Sequence, residues 1–248
     1  MATLPWHDIA LALCIFLGAT LYSSVGHGGS SAYIATMALF GVPAATMKPT
    51  ALVLNVIVAS LGSFRYIRAG QFRCRVLWPF LLGALPFAFL GGAITLPGHW
   101  YRPVVGVILW VSAARMLWPK KLVAESEASD PPILPAIAAG VVIGFLSGLT
   151  GTGGGIFLSP LLLFMAWATP KQTTGVAALF ILAVSVSGLL GNLTSLNSLP
   201  ANLPMFAAAA LAGGLAGTSA GIRFQSAMVV RALGVVLIIA GAKLIGVY

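Results

Sequence analysis

Two short runs hold the residues best suited to chemistry in this sequence: Gly26-His27-Gly28-Gly29-Ser30 and Gly151-Thr152-Gly153-Gly154-Gly155. Hydroxyls crowd beside them, with Ser23, Ser24 and Ser31 near the first and Thr150 near the second. Such residues suit the capture of a small anion better than the breaking of bonds. Glycine reaches backbone angles closed to other residues, and without a Cβ it lets a ligand approach the main chain. A helix that starts directly after such a run points unpaired N–H groups at the ligand, and its first turn carries an effective charge of roughly +0.5. The binding set read from the sequence is therefore Gly26, His27, Gly28, Gly29, Ser30, Ser31, Gly151, Thr152, Gly153, Gly154 and Gly155. Two other uses of these residues compete with binding. Small residues also let helices pack closely in membranes, and hydroxyls also bond back to their own helix carbonyls.

A second set flanks the segments that follow. Lys48 and Thr50 in the first half, and Lys171, Thr173 and Thr174 in the second, stand where a vestibule or gate would lie. A lysine there either draws an anion inward or extends its ammonium to the interface. His27 occupies the first run where the second has Thr152, and imidazole is the side chain suited to a proton switch. Asn55, in the middle of an apolar stretch, either lines a path or joins helices. Catalysis has little to work with: the histidines are His7, His27 and His99, and a Ser30–His27 pair lacks a third orienting group. No catalytic residue, metal ligand or cofactor is expected, and Cys14 and Cys74 have neither metal-ligand spacing nor a disulfide between them. Glu125, Glu127 and Asp130 cluster in one segment and Asp8 lies at the N-terminal edge, so no apolar stretch carries a carboxylate. Carriers of cations and protons commonly place carboxylates within the membrane; their absence here favours an anion.

The elements that must position these residues are membrane helices. The chain has 248 residues, 59% of them hydrophobic and 7% charged, against about 25% charged in a soluble domain. Apolar stretches of the length needed to cross ~30 Å of hydrocarbon recur from end to end. The sequence predicts spans near 9–25, 48–64, 76–95 and 103–117, then 133–150, 173–190, 203–221 and 228–247. Two segments, 31–40 and 156–167, are too short to cross and are either re-entrant half-helices or second limbs of broken spans. The formal charge of +9 lies at span ends, where positive-inside bias accounts for it without nucleic acid. The N-terminus lacks the basic region of a cleavable signal peptide, so the first apolar segment is expected to be retained.

The expected architecture is an all-α integral membrane domain, 1–248. It contains two repeats, 1–118 and 133–248, each with about five hydrophobic segments, a glycine break and a short half-helix, joined by a cytoplasmic linker, 119–132. A shift of about 125 residues superposes the two glycine runs. An odd segment count inverts the second repeat relative to the first. Charge agrees: Arg65, Arg68, Arg73 and Arg75 crowd one loop, whereas its repeat counterpart, 191–202, is uncharged. The first loop then faces the cytoplasm and the second the outside. Both termini fall outside, with Arg102 and Lys243 as exceptions to the charge rule. Matched interruptions in two halves of such a chain point to a substrate site near the midplane.

The duplicated order of break, short helix and span, with Gly151-Thr152-Gly153-Gly154-Gly155-Ile156-Phe157-Leu158-Ser159-Pro160, resembles the sulfite exporter TauE/SafE family. The first copy departs from this pattern: His27 and Ser30 replace Thr152 and Gly155, and Ala35 stands opposite Pro160. The resemblance implies transport of sulfite or small organosulfonates such as sulfoacetate across a bacterial inner membrane, usually outward. The expected function is a secondary transporter of a small anionic substrate that works by alternating access in the lipid bilayer. A coupling proton and a homodimer are both compatible with it. A passive anion channel and a carrier of another small organic acid are the alternatives.

Overall fold

The computed structural model describes residues 6–117, 128–223, 238–239 and 241–246. Among them every regular element is helical. In the first half these are α1 (Trp6–Ser23), α2 (Ser30–Leu39), α3 (Ala44–Arg68), α4 (Cys74–Ala93) and α5 (Gly98–Leu117). The second half has α6 (Ile133–Thr150), α7 (Gly155–Phe164), α8 (Pro170–Gly191), a 3-10 helix (Leu193–Ser198) and α9 (Leu203–Arg223). Six of them, α1, α3, α4, α6, α8 and α9, are long and apolar enough to cross a membrane, while α2 and α7 are not. The linker from 118 to 127, and most of the last expected span, lie outside the described residues.

Contacts at the helix ends define two opposite faces. At one face, His7 stacks edge-on against Phe40 with ring centroids 5.0 Å apart, and Asn202 Nδ2 donates to Asp8 at 2.6 Å. Ser198 Oγ donates there to the Ala45 carbonyl at 3.3 Å, an oxygen left without its helical partner because Pro49 has no N–H. At the other face, Arg73 pairs with Asp130 at 3.0 Å, and the Ser129 N–H donates to the Ala166 carbonyl at 2.9 Å. The loop rich in arginine and the segment entering α6 therefore share a face, and the uncharged 191–202 segment lies on the other together with the start of α1.

These contacts also settle the path of the short segments. Helix α1 leaves the first face and α2 returns to it, while α6 leaves the second face and α7 returns to that one. Each long helix runs deep before its break, since Tyr66, near the far end of α3, donates to the last α1 carbonyl at Ser23. Both short helices thus end beside the start of the long helix that precedes them.

The halves interlock. Helix α4 of the first half packs along α6 of the second, α9 of the second packs along α1 of the first, and α3 and α8 face each other between these pairs. Glycine makes both outer contacts close. A Cβ at Gly140, Gly144 or Gly148 would strike the carbonyls of Phe80, Ala84 and Ala88. One at Gly213, Gly217 or Gly221 would strike those of Phe16, Thr20 and Ser24. Lipid gives little hydrophobic drive for helix association, so such backbone-to-backbone packing supplies it instead.

Three expected boundaries move. Helix α3 begins at Ala44, just after Pro43, so Lys48 lies one turn inside the helix instead of opening it. The expected 191–202 loop contains the 3-10 helix, and Cys74, expected in a loop, is the first residue of α4.

Candidate functional site

The backbone enters each break by a glycine cap. At the end of α1 the Gly26 N–H donates to the Ser23 carbonyl at 3.1 Å and the His27 N–H to that of Tyr22 at 2.9 Å, a Schellman turn that needs the positive φ of Gly26. Helix α6 ends on Gly151, φ 82°, whose N–H donates to the Ser147 carbonyl at 2.8 Å. Distant tyrosines also donate to the last carbonyl of each helix. Tyr66 Oη donates to Ser23, and Tyr101 Oη to Thr150 at 2.8 Å. Both rings are buried, and both pairings escape a reading of the sequence because nothing local marks them.

The chain leaves each break through a second left-handed glycine, Gly29 before α2 and Gly154 before α7, and no side chain caps either helix start. The two starts meet near the middle of α3. A Cβ at Gly28 would fall on Asn55 Oδ1, and one at Gly153 would fall on Asn55 Nδ2; each would lie 3.2 Å from Ile181 Cγ2 on α8. Asn55 thus sits between the breaks, with its amide oxygen toward one and its amide nitrogen toward the other. Nδ2 donates to Ser185 Oγ on α8 at 2.8 Å.

Direct bonds tie the breaks together. Ser30 Oγ donates to the Thr152 carbonyl. His27 Nδ1 lies 3.1 Å from the Val25 carbonyl oxygen, and Nε2 lies 3.0 Å from that of Gly155 and 3.2 Å from Ser159 Oγ. A neutral imidazole carries one N–H and donates to one of these carbonyls at a time, whereas the protonated ring donates to both. Thr152 Oγ1 is 3.0 Å from Thr150 Oγ1, and Tyr33 Oη donates to the Gly28 carbonyl at 2.8 Å.

The residues singled out in the two runs therefore converge from opposite halves of the chain. In this conformation they are closed off: all are buried except His27, which is half-buried. The flanking set divides. Lys48 is buried at 6% exposure, and its Nζ donates to the carbonyls of Gly92 at 2.8 Å, Ile94 at 3.0 Å and Gly91 at 3.3 Å. It closes the C-terminal end of α4 instead of standing open in a vestibule. Thr50, Thr173 and Thr174 are buried, and Lys171 is exposed. Contacts cross between the halves: a Cβ at Gly151 would lie 3.2 Å from the Lys48 carbonyl, and one at Gly26 would press on Thr174. Asn55 and Ser185, with the orphan hydroxyl of Ser147 beside Gly154, join the site from outside the glycine runs.

What the arrangement can do follows from its donors. Two helix starts without side-chain caps meet at the buried Asn55 amide, while the carboxylates of Asp8 and Asp130 stay at the faces. Such a point favours an anion.

Comparison with known proteins agrees with a membrane role. The family model described as "Sulfite exporter TauE/SafE" matches residues 11–244. A probable membrane transporter protein of Sinorhizobium fredii is 42% identical over 241 residues, which cover 96% of this chain and 98% of that protein. Probable membrane transporter proteins of Bacillus subtilis and Methanocaldococcus jannaschii are 24% and 28% identical, over 74% and 63% of this chain and 78% and 60% of their own lengths. No solved structure matches.

Proposed function

The chain belongs to the sulfite exporter TauE/SafE family of multi-pass membrane transporters, and from that premise we propose that it exports small sulfur-containing oxyanions, sulfite or organosulfonates, across the bacterial inner membrane. The cargo binds at the midplane junction where α2 and α7 begin. The two repeats lie inverted in the bilayer, with the arginine-rich face in the cytoplasm and the other face, where α1 begins, in the periplasm. The observation that carries this reading is the meeting of two uncapped helix starts, one from each half, on either side of Asn55. An inside-negative potential expels an anion with ~2.3 kcal/mol per charge per 100 mV.

Burial of both breaks favours a carrier over an open channel. A carrier must pass through a state closed to both faces, and the reciprocal packing of α4 on α6 and α9 on α1 offers two units that can move against each other. The test is uptake by purified protein in liposomes of sulfite, thiosulfate, sulfoacetate and lactate, with and without a pH gradient. Saturable uptake of at least one of the sulfur anions, in preference to lactate and with counterflow between labelled and unlabelled cargo, is the expected result. Linear, non-saturating flux would replace the carrier with a channel, and preference for lactate would replace the cargo.

A further inference from the structure

We propose that Asn55 selects the protonation state of the cargo: its amide oxygen accepts a hydrogen bond from the bound anion, so the preferred form is a singly charged oxyanion that keeps one O–H, hydrogen sulfite over the sulfite dianion or a plain sulfonate. The inference rests on the midplane junction being the cargo site. Asn55 is fully buried. Its nitrogen is engaged with Ser185 at 2.8 Å, but Oδ1, beside Gly28, has no hydrogen-bond partner.

A side-chain amide oxygen is an acceptor only, and a buried acceptor without a donor is costly. The starts of α2 and α7, without side-chain caps, supply first-turn N–H groups, which suit the bare oxygens of an anion. A fully ionised oxyanion turns lone pairs toward Oδ1 and is repelled there. Hydrogen sulfite meets the whole set: its O–H donates to Oδ1, and its other oxygens accept from the helix starts. A site that bonds a ligand O–H rejects analogues lacking it far more strongly than an apolar site does. From α8 the junction is faced by Ile181 and Ser185, neither of which titrates; from the first half it is faced by His27 and Tyr33.

The test uses the full chain in liposomes and follows sulfite uptake at several pH values on either side of sulfite's second ionisation. Methanesulfonate, fully ionised and without an O–H throughout, serves as competitor. The total sulfite needed for half-maximal uptake should rise about tenfold per pH unit above that ionisation. Methanesulfonate should inhibit at least about tenfold more weakly than sulfite at the acidic end, with a constant that does not follow pH. Asn55→Leu should bring the two anions to parity. A half-saturation that stays flat in total sulfite overturns the inference and leaves the transporter reading standing. So does equal competition by methanesulfonate, a parallel pH drift of its constant that assigns the effect to His27 or Tyr33, or unchanged selectivity in a folded Asn55→Leu. Absence of sulfite uptake by the native protein overturns both. If Asn55→Leu does not fold, the native titration decides.

Discussion

The hydroxyl of Ser30 donates to the backbone carbonyl of Thr152, so the start of one short helix is bonded to the break that precedes the other. These residues are 122 positions apart, and the bond forms only because each half brings a glycine turn to the same depth. Any movement of one half against the other must break or trade this contact, together with the His27–Gly155 contact beside it.

The closeness of that junction makes its glycines a direct test. Gly28 does not need a positive φ, so Gly28→Ala tests space alone, and the added methyl meets Asn55. Gly153→Ala adds backbone strain, because its φ is 74°. Both variants should lose liposome uptake. Gly41→Ala is the control: φ is 73° there as well, yet a Cβ meets nothing within 4 Å. It should cost about 1–2 kcal/mol of stability and leave uptake intact. Normal uptake in both Gly28→Ala and Gly153→Ala would remove the junction from the transport path.

The buried caps predict losses of stability. Tyr66→Phe and Tyr101→Phe each strip the hydroxyl from a last helix carbonyl, at Ser23 and Thr150. An unpaired buried carbonyl costs about 1–3 kcal/mol; Ser23 keeps the Gly26 N–H, so both variants should melt earlier than the native protein in detergent, Tyr101→Phe by more than Tyr66→Phe. Lys48→Met should do the same by releasing three carbonyls, two in the last turn of α4 and that of Ile94 just after it. Equal melting of Lys48→Met and the native protein would return Lys48 to the role of an interfacial charge.

Much of this was legible in the sequence because hydropathy and glycine act locally. The bounds of α6 match the expected 133–150 span, and the glycine runs locate both breaks. What stayed hidden depends on partners far along the chain. A lysine near a helix start looks interfacial until the end of α4 delivers carbonyls 43 to 46 positions away. Asn55 could not be assigned without Ser185, 130 positions on. The 3-10 helix at Leu193–Ser198 reads as loop because its Asn, Ser and Thr residues compete locally for backbone partners.

Glycine also holds the outer pairs together, and this separates folding from transport. Gly144 sits against the Ala84 carbonyl and Gly217 against that of Thr20. Gly144→Leu and Gly217→Leu force whole helices apart and should cost more than about 4 kcal/mol each, seen as loss of the monodisperse peak in size-exclusion chromatography. A folded, inactive Gly144→Leu would instead tie the α4–α6 contact to the transport step.

The opposed orientation proposed for the halves can be tested with the native thiols. Cys74 is exposed at the start of α4, beside Arg73 and Arg75, whereas Cys14 is half-buried within α1. In a Cys14→Ser background, a membrane-impermeant maleimide should label Cys74 in inside-out vesicles and not in right-side-out spheroplasts. Asn197, exposed in the 3-10 helix, belongs to the opposite face through the contact of Ser198 with Ala45. Asn197→Cys, in a chain lacking both native thiols, should therefore show the reverse pattern. Labelling of both positions from one side would contradict the two faces drawn from the helix-end contacts. Complementary labelling in the opposite sense would keep the inverted halves but turn the protein over, placing the arginine-rich face outside against the positive-inside expectation.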